Sequence, residues 1–408
     1  MLKPTAALLS AAALAAIATP AHAIDVPALR YVDRYTLPYS PSLNGTTFGN
    51  TLFGGISGLD RDAAGNYYAL SDDRSQFAPG GGNPAARFYS ISIAVGAAGF
   101  VGPTPVTINS TETLKRPNAT TFPALSVDPE SIRLRSSPAG ASLYWTSEGA
   151  VSSAGVPNIQ PTVVREMSLS GVFIREFTSP AKMNADGVGA AQTRGVRNNL
   201  GYESLTFSPD GTRTYAAAES SLFQDGPRAT ATTGSTNRIV EFDTATANVL
   251  RELVYVTDPI QSLNPANASD NGLVELLSIG GSQFLAVERS FALNEGTNIR
   301  IYKIDLAAAT DVSAFDSLVG QTYTAVSKQL LLTLAQPALG GTFNADNIEA
   351  ITLGPVLPNG DQSFILTADN NFSAAQSNLF ILIAVPEPTS VLALLPALPL
   401  LARRRKLA

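Results

Sequence analysis

The chain has 408 residues, 45% of them hydrophobic, with 27 basic against 33 acidic side chains, a formal net charge of −6, one histidine and no cysteine. Length and apolar content suffice for a buried core, and the lack of cysteine removes disulfides and thiol chemistry. The acidic balance argues against nucleic acid as a partner and in favour of cations.

Residues 1–23 have the layout of a secretory signal peptide. Met1-Leu2-Lys3 leads an Ala/Leu-rich run to Pro20, and Ala21-His22-Ala23 supplies a small-x-small cleavage site. Cleavage after Ala23 leaves Ile24 first and removes His22, so a Ser-His-Asp triad, a Cys-His pair and nitrogen or sulfur zinc sites are excluded. The two ends carry five basic residues and one acid, which leaves 22 basic against 32 acidic residues between them, a net charge of −10.

Next comes "LRYVDRYTLPY", Leu29 to Tyr39, a strand outside any repeat. From there five segments open a strand alike, at Ser57, Glu130, Glu203, Glu275 and Glu349, with spacings of 73, 73, 72 and 74 residues. Each is followed by a turn and a second strand ending in an acid: Asp72, Glu148, Glu219, Glu288 and Asp369. Third strands start at Arg87, Thr162, Asn237, Asn298 and Asn378, and outer fourth strands fit Pro105 to Leu114, Gly171 to Thr178, Val249 to Val256 and Leu330 to Leu334. The fifth unit lacks a fourth strand, which Leu29 to Tyr39 would supply. This predicts an all-β fold, a β-propeller of five four-stranded blades over residues 24–384, closed by the N-terminal strand. Six blades remain open if a long insertion hides one, and unrelated consecutive sandwiches are the alternative.

In such a ring the start of each first strand and the end of each second strand share one mouth. In the hairpin "GYESLTFSPDGTRTYAAAES" symmetrical pairing sets Phe207 against Tyr215, Leu205 against Ala217 and Glu203 against Glu219. Opposed like charges need a counter-charge between them. The expected metal-ligating set is Asp72, Glu130, Glu148, Glu203, Glu219, Glu275, Glu288, Glu349 and Asp369, joined by Asp73, with Ser57 in the odd position. Oxygen-only ligands suit calcium or magnesium. The competing reading is a water-filled acidic channel offset by Arg74 and Arg289. Arg194, Arg197, Lys115 and Arg116 also lie near the predicted mouth. Metal and arginines together suit a phosphorylated substrate, with Glu203, Glu219, Arg74 and Arg289 as the catalytic candidates and a ring acid as base.

The chain ends in "VPEPTSVLALLPALPLLARRRKLA", residues 385–408. The apolar run is short for a spanning helix, which needs roughly 20 residues, and a basic cluster follows it. Val385-Pro386-Glu387-Pro388, the apolar run and the Arg/Lys cluster resemble the PEP-CTERM sorting signal of exported bacterial proteins. That resemblance implies a membrane-embedded sorting enzyme as partner and a place outside the cell or at the surface of a Gram-negative bacterium. A plain membrane anchor is the alternative.

"FGGISGLDRDAAGNYYALSDDRSQ", "DPESIRL", "GYESLTFSPDGTRTYAAAES", "LLSIGGSQFLAVERSF" and "NIEAITLG" together resemble the phytase-like secreted bacterial proteins described as having esterase-like activity. The resemblance spans about Phe53 to Ala384. It implies a β-propeller and calcium-dependent hydrolysis of phosphate or other esters; a small phosphorylated or ester substrate and a monomeric state are expected. A non-catalytic, calcium-stapled extracellular propeller is the second reading. A histidine-free Ser carboxylesterase is the third, against which stands the lack of a Gly-x-Ser-x-Gly elbow.

Overall fold

A computed structural model describes residues 23–37, 46–76, 84–137, 140–152, 158–373 and 375–386. The predicted leader, apart from residue 23, and the sorting tail, apart from 385 and 386, lie outside the described residues.

Five four-stranded antiparallel sheets follow one another in strand order, each running from the channel outward. Blade 1 is Ile56–Arg61, Tyr67–Ser71, Arg87–Ile93 and Val106–Thr113. Blade 2 is Pro129–Ser137, Gly140–Ser147, Val163–Ser168 and Phe173–Thr178. Blade 3 is Tyr202–Phe207, Arg213–Ala218, Thr236–Asp243 and Val249–Val256. Blade 4 is Ala268–Gly280, Gln283–Ala292, Gly296–Asp305 and Ser327–Leu334. Blade 5 is Asn347–Val356, Gln362–Asp369 and Leu379–Ala384, completed on its outer edge by Arg30–Thr36. The first strands of consecutive blades pack side by side around the axis, blade 5 against blade 1 included. The fold is therefore an all-β, five-bladed propeller closed by the N-terminal strand, and no long insertion adds a sixth blade among the described residues.

Burial explains the sequence pattern. First strands are covered on both faces by neighbouring blades, so Tyr202–Phe207 is buried over nearly its whole length. Outer strands such as Phe173–Thr178 alternate between shielded and exposed positions, as period-two strands do. The apolar core is divided among the blade interfaces. Leu59 and Tyr89 meet Ala350 and Phe380 between blades 1 and 5, while Leu70 and Phe88 meet Ile132 and Trp145 between blades 1 and 2. Tyr144 meets Tyr202 and Phe242, Tyr215 meets Phe284, and Leu285 meets Ile351 and Ile381 across the remaining three.

The first-strand registers depart from simple pairing. In the blade 3 hairpin Tyr202 faces Ala218, Ser204 faces Ala217, Thr206 faces Tyr215 and Phe207 faces Thr214. Glu203 is left unpaired in a bulge, so the symmetrical pairing of Glu203 with Glu219, Leu205 with Ala217 and Phe207 with Tyr215 does not occur. The same break recurs between Ile56 and Gly58, Pro129 and Ile132, Leu273 and Glu275, and Ile348 and Ala350. A bulge re-aims the extra residue; in blades 1, 2, 3 and 5 it frees a polar side chain, Ser57, Glu130, Glu203 or Glu349, whereas in blade 4 it falls on Val274, which packs in the apolar core.

Candidate metal centre at the propeller mouth

The bulges and the second-strand ends assemble one mouth. Ser57, Glu130, Glu203 and Glu349 occupy the bulges of blades 1, 2, 3 and 5. Beside them stand the acids that close the second strands. The N–H groups of Asp72, Glu148 and Glu219 donate to the carbonyls of Gly55 (2.7 Å), Asp128 (2.9 Å) and Gly201 (2.8 Å), and Asp369 pairs with Asn347. Gly201 allows this closeness, since a Cβ there would come within 2.0 Å of the Glu148 carbonyl oxygen.

Two carboxylate triads result. Asp128, Glu130 and Glu148 each offer an oxygen within 4.8 Å of the others, and so do Glu148, Glu203 and Glu219, all five residues being buried. Glu148 belongs to both. Its Oε1 accepts the Gly201 N–H at 3.0 Å, whereas its buried Oε2 has no hydrogen-bond partner among the described residues. Buried oxygens of Ser57, Asp72 and Glu349 are also without a hydrogen-bond partner there. Buried acceptors without donors are rare in proteins, and a cation is one way to satisfy them. The donor set is entirely oxygen, which suits a hard ion.

Two arginines sit among these acids. Arg289 bridges Glu349 and Glu219, the latter at 3.0 Å, and Arg74 lies 3.2 Å from Asp128. Asn347 donates to Glu349 at 3.0 Å and to Asp369 at 3.1 Å. Burial pushes Asp128 up to about 7 against the pull of Arg74, and Glu219 up to about 8 against that of Arg289. Asp72, Glu130, Glu148, Glu203 and Asp369 are raised well above the usual carboxylate range, by burial first and by neighbouring acids second. Surrounded by carboxylates, Arg289 is held more firmly protonated than an ordinary arginine.

Glu275 and Glu288 are not brought to this mouth, although the sequence alignment puts them there. In blade 4 the bulge falls on Val274, one residue before Glu275, and the ring-level pair is Gly272 with Arg289 rather than Leu273 with Glu288. A one-residue offset turns a side chain to the other face. Glu288 therefore turns away from the mouth, where it accepts from Tyr255 (2.6 Å), Lys328 (2.7 Å), Asn271 (2.9 Å) and the Asp258 N–H (3.0 Å). Arg289 takes the place that acids hold in the other four blades.

Glu275 instead points into the channel below the ring. It accepts from Ser131 (2.7 Å), from the N–H groups of Leu205 (3.1 Å) and Leu276 (2.9 Å), and from Arg133 (2.9 Å). Arg133 also donates to the carbonyls of Leu59 (2.8 Å), Ile132 (2.9 Å), Leu276 (2.9 Å) and Ile351 (3.2 Å). This buried ion pair bonds to the first strands of all five blades. Below it, a cavity of about 220 Å3 at the other end of the channel is lined by Arg133, Asp60, Thr206, Leu277 and Leu353.

Asp128, Asn347 and Arg228 belong to this neighbourhood but escaped the sequence reading. Asp128 and Asn347 stand two residues before a bulge glutamate, in "DPE" and "NIE", the place held by Gly201 in "GYE". That fixed offset was a usable signal. Arg228, paired with Asp270 at 2.7 Å beside Glu219, comes from a long loop that no repeat aligns.

These raised values set a sign for pH dependence. Without metal, the native state holds protons on Asp128 and Glu219 that the unfolded chain releases near pH 4 to 4.5. The native state binds more protons through the window up to about pH 8, so stability falls as pH rises across it. Urea denaturation in EDTA is expected to show a loss on the order of 3 kcal/mol between pH 5 and pH 8, and saturating calcium should flatten the slope.

Among solved structures the chain is similar to a GH43 protein, a BlXynB mutant from Bacillus licheniformis, at 11% identity and a TM-score of 0.38, over 87% of this chain and 60% of that one. It is similar to the hydrazine synthase of Kuenenia stuttgartiensis at 10% identity and 0.36, over 79% and 78%, and to the Dos1 propeller at 7% and 0.33, over 82% and 68%. No curated protein matches the chain. The family model described as "Phytase-like: Esterase-like activity of phytase" matches residues 51–372, which takes in the five first strands and every acid of the mouth. The chain belongs to that phytase-like family.

Proposed function

We propose that the chain is an exported hydrolase of phosphate or other esters that uses calcium at its acid-lined mouth. The observation that carries this reading is the pair of buried triads meeting at Glu148, whose Oε2 lacks a hydrogen-bond partner among the described residues. Asp128, Glu130, Glu148, Glu203 and Glu219 would hold the ion. Calcium accepts roughly 6–8 oxygens in flexible geometry, which suits so crowded a ring better than the strict octahedron of magnesium. When bound, it supplies charge neutralisation and polarises an ester's phosphoryl or carbonyl oxygen.

The chain's own residues would do the rest. With calcium bound, Glu219 would be a deprotonated ligand beside Arg289, and a ring carboxylate left off the ion is the group suited to exchange a proton with water or a leaving oxygen. Arg289, committed to Glu219 and Glu349, orients carboxylates rather than substrate. Arg74 is partly exposed beside Asp128 and can offer N–H groups to an anionic ester. In the same proposal a signal peptide exports the protein, a PEP-CTERM tail hands it to a sorting enzyme in the membrane, and a monomer works at or outside the cell surface.

The test is a panel of phosphomonoesters and carboxylic esters assayed with calcium and with EDTA. Calcium-dependent turnover is expected, and Glu203→Gln should reduce it, and the calcium-induced rise in Tm, more than it reduces stability in urea. Absence of both calcium binding and turnover on every ester would sink the proposal. Calcium that raises Tm with no turnover would move the reading to the non-catalytic extracellular binding propeller.

A further inference from the structure

A second polar concavity lies beside the acid ring, between blades 4 and 5. It has a volume of about 430 Å3 and is lined by Phe291, Gly296, Thr297, Asn344, Asp346, Asn347 and Gln376, among others. Small-molecule clefts run to roughly 300–1,000 Å3. Asn347 joins it to the ring, since its amide donates to both Glu349 and Asp369.

Its chemistry is neither that of a cation site nor that of an anion site. Among the described residues no Lys or Arg lines it, which disfavours a phosphate. Its one carboxylate, Asp346, is occupied by the N–H groups of Ser377 (2.9 Å) and Asn347 (3.0 Å) and by the Gln376 amide (3.3 Å). What remains is amide and hydroxyl groups around one aromatic ring, Phe291, which is 40% exposed.

A fully shielded amide behind this wall lacks partners. Gln336 is 0% exposed and neither its Nε2 nor its Oε1 has a hydrogen-bond partner among the described residues. Gly296, at φ +99°, leaves it close to the cavity. A Cβ there would sit 3.2 Å from Gln336 Oε1 and 3.8 Å from Asn344 Oδ1, so the missing side chain leaves both oxygens facing one gap. Amides offer donor and acceptor together, the match for hydroxyl groups that are both. An aromatic face beside them accepts the C–H side of a saturated ring.

We propose that this cavity is a subsite for an uncharged, hydroxyl-rich ring, a sugar or a polyol, and that it seats the alcohol portion of the ester beside the acid ring. The second half rests on the hydrolase reading; binding itself does not. Saturation-transfer NMR on the full chain with methyl α-D-glucopyranoside tests it. Transfer is expected with and without calcium, unchanged in Glu203→Gln and reduced at least fivefold in Phe291→Ala and Asn344→Ala. Phe291→Leu, which keeps apolar bulk, should fold normally and still lose most of the signal. No transfer to the wild type, transfer undiminished in the Phe291 variants, or displacement of the glucoside by inorganic phosphate would overturn the proposal. A protein that binds the glucoside yet turns over no ester would refute the hydrolase reading and leave the subsite standing.

Discussion

Replacing Glu148 with Gln is expected to weaken calcium binding by about 100-fold or more, since losing even outer partners of a metal site costs roughly 10–100-fold. Glu148 is the carboxylate shared by both triads, so one substitution strips a ligand from each. The fold should tolerate it, because the Gln oxygen can still accept the Gly201 N–H. In EDTA at pH 8 the variant should be more stable than the wild type, because it removes a carboxylate crowded by Asp128 and Glu219. With calcium it should be less stable. Calorimetric titration and thermal unfolding under both conditions read the two opposite signs. Calcium affinity within threefold of wild type would mean that the shared carboxylate is not a ligand.

Arg133→Met is expected to cost about 3–5 kcal/mol, the usual penalty for removing one partner of a buried ion pair. The cost arises because Glu275 loses the cation that stabilised its charge, and because four backbone carbonyls lose their donor. Burial already pushes Glu275 up to about 7 against the pull of Arg133, so without the arginine it should take up a proton. Adding Glu275→Gln should recover part of the loss, since Gln keeps an acceptor for Leu205 and Leu276. Urea denaturation of the single and double variants measures the coupling. Additive effects would show that the two side chains do not act as a pair.

Blade number, strand order and ring closure were legible because each first strand is enclosed on both faces. The resulting apolar runs recur at a spacing that turn length alone does not disturb. Register was not legible. "VELLSI" reads like "YESLTF", yet its bulge falls on Val274 where the other falls on Glu203. Which residue a bulge expels depends on what the neighbouring blades hold, here Arg133 waiting for Glu275, and no local pattern records that. The same slip carried Glu288 out of the mouth and put Arg289 in. Asp128 was missed for a simpler reason: acids were sought at strand ends, whereas it precedes its strand by one residue.

The Arg133–Glu275 pair also determines traffic. By bonding to every first strand it blocks the passage, so the acid-lined mouth is the rim of a cup rather than one end of a pipe. Whatever reaches the carboxylates must depart by the route it used to arrive. On the proposed hydrolase reading, a spent molecule and a fresh one then contend for the same doorway, so inhibition by a released product should be competitive, and large polymers could present only an end or a side branch.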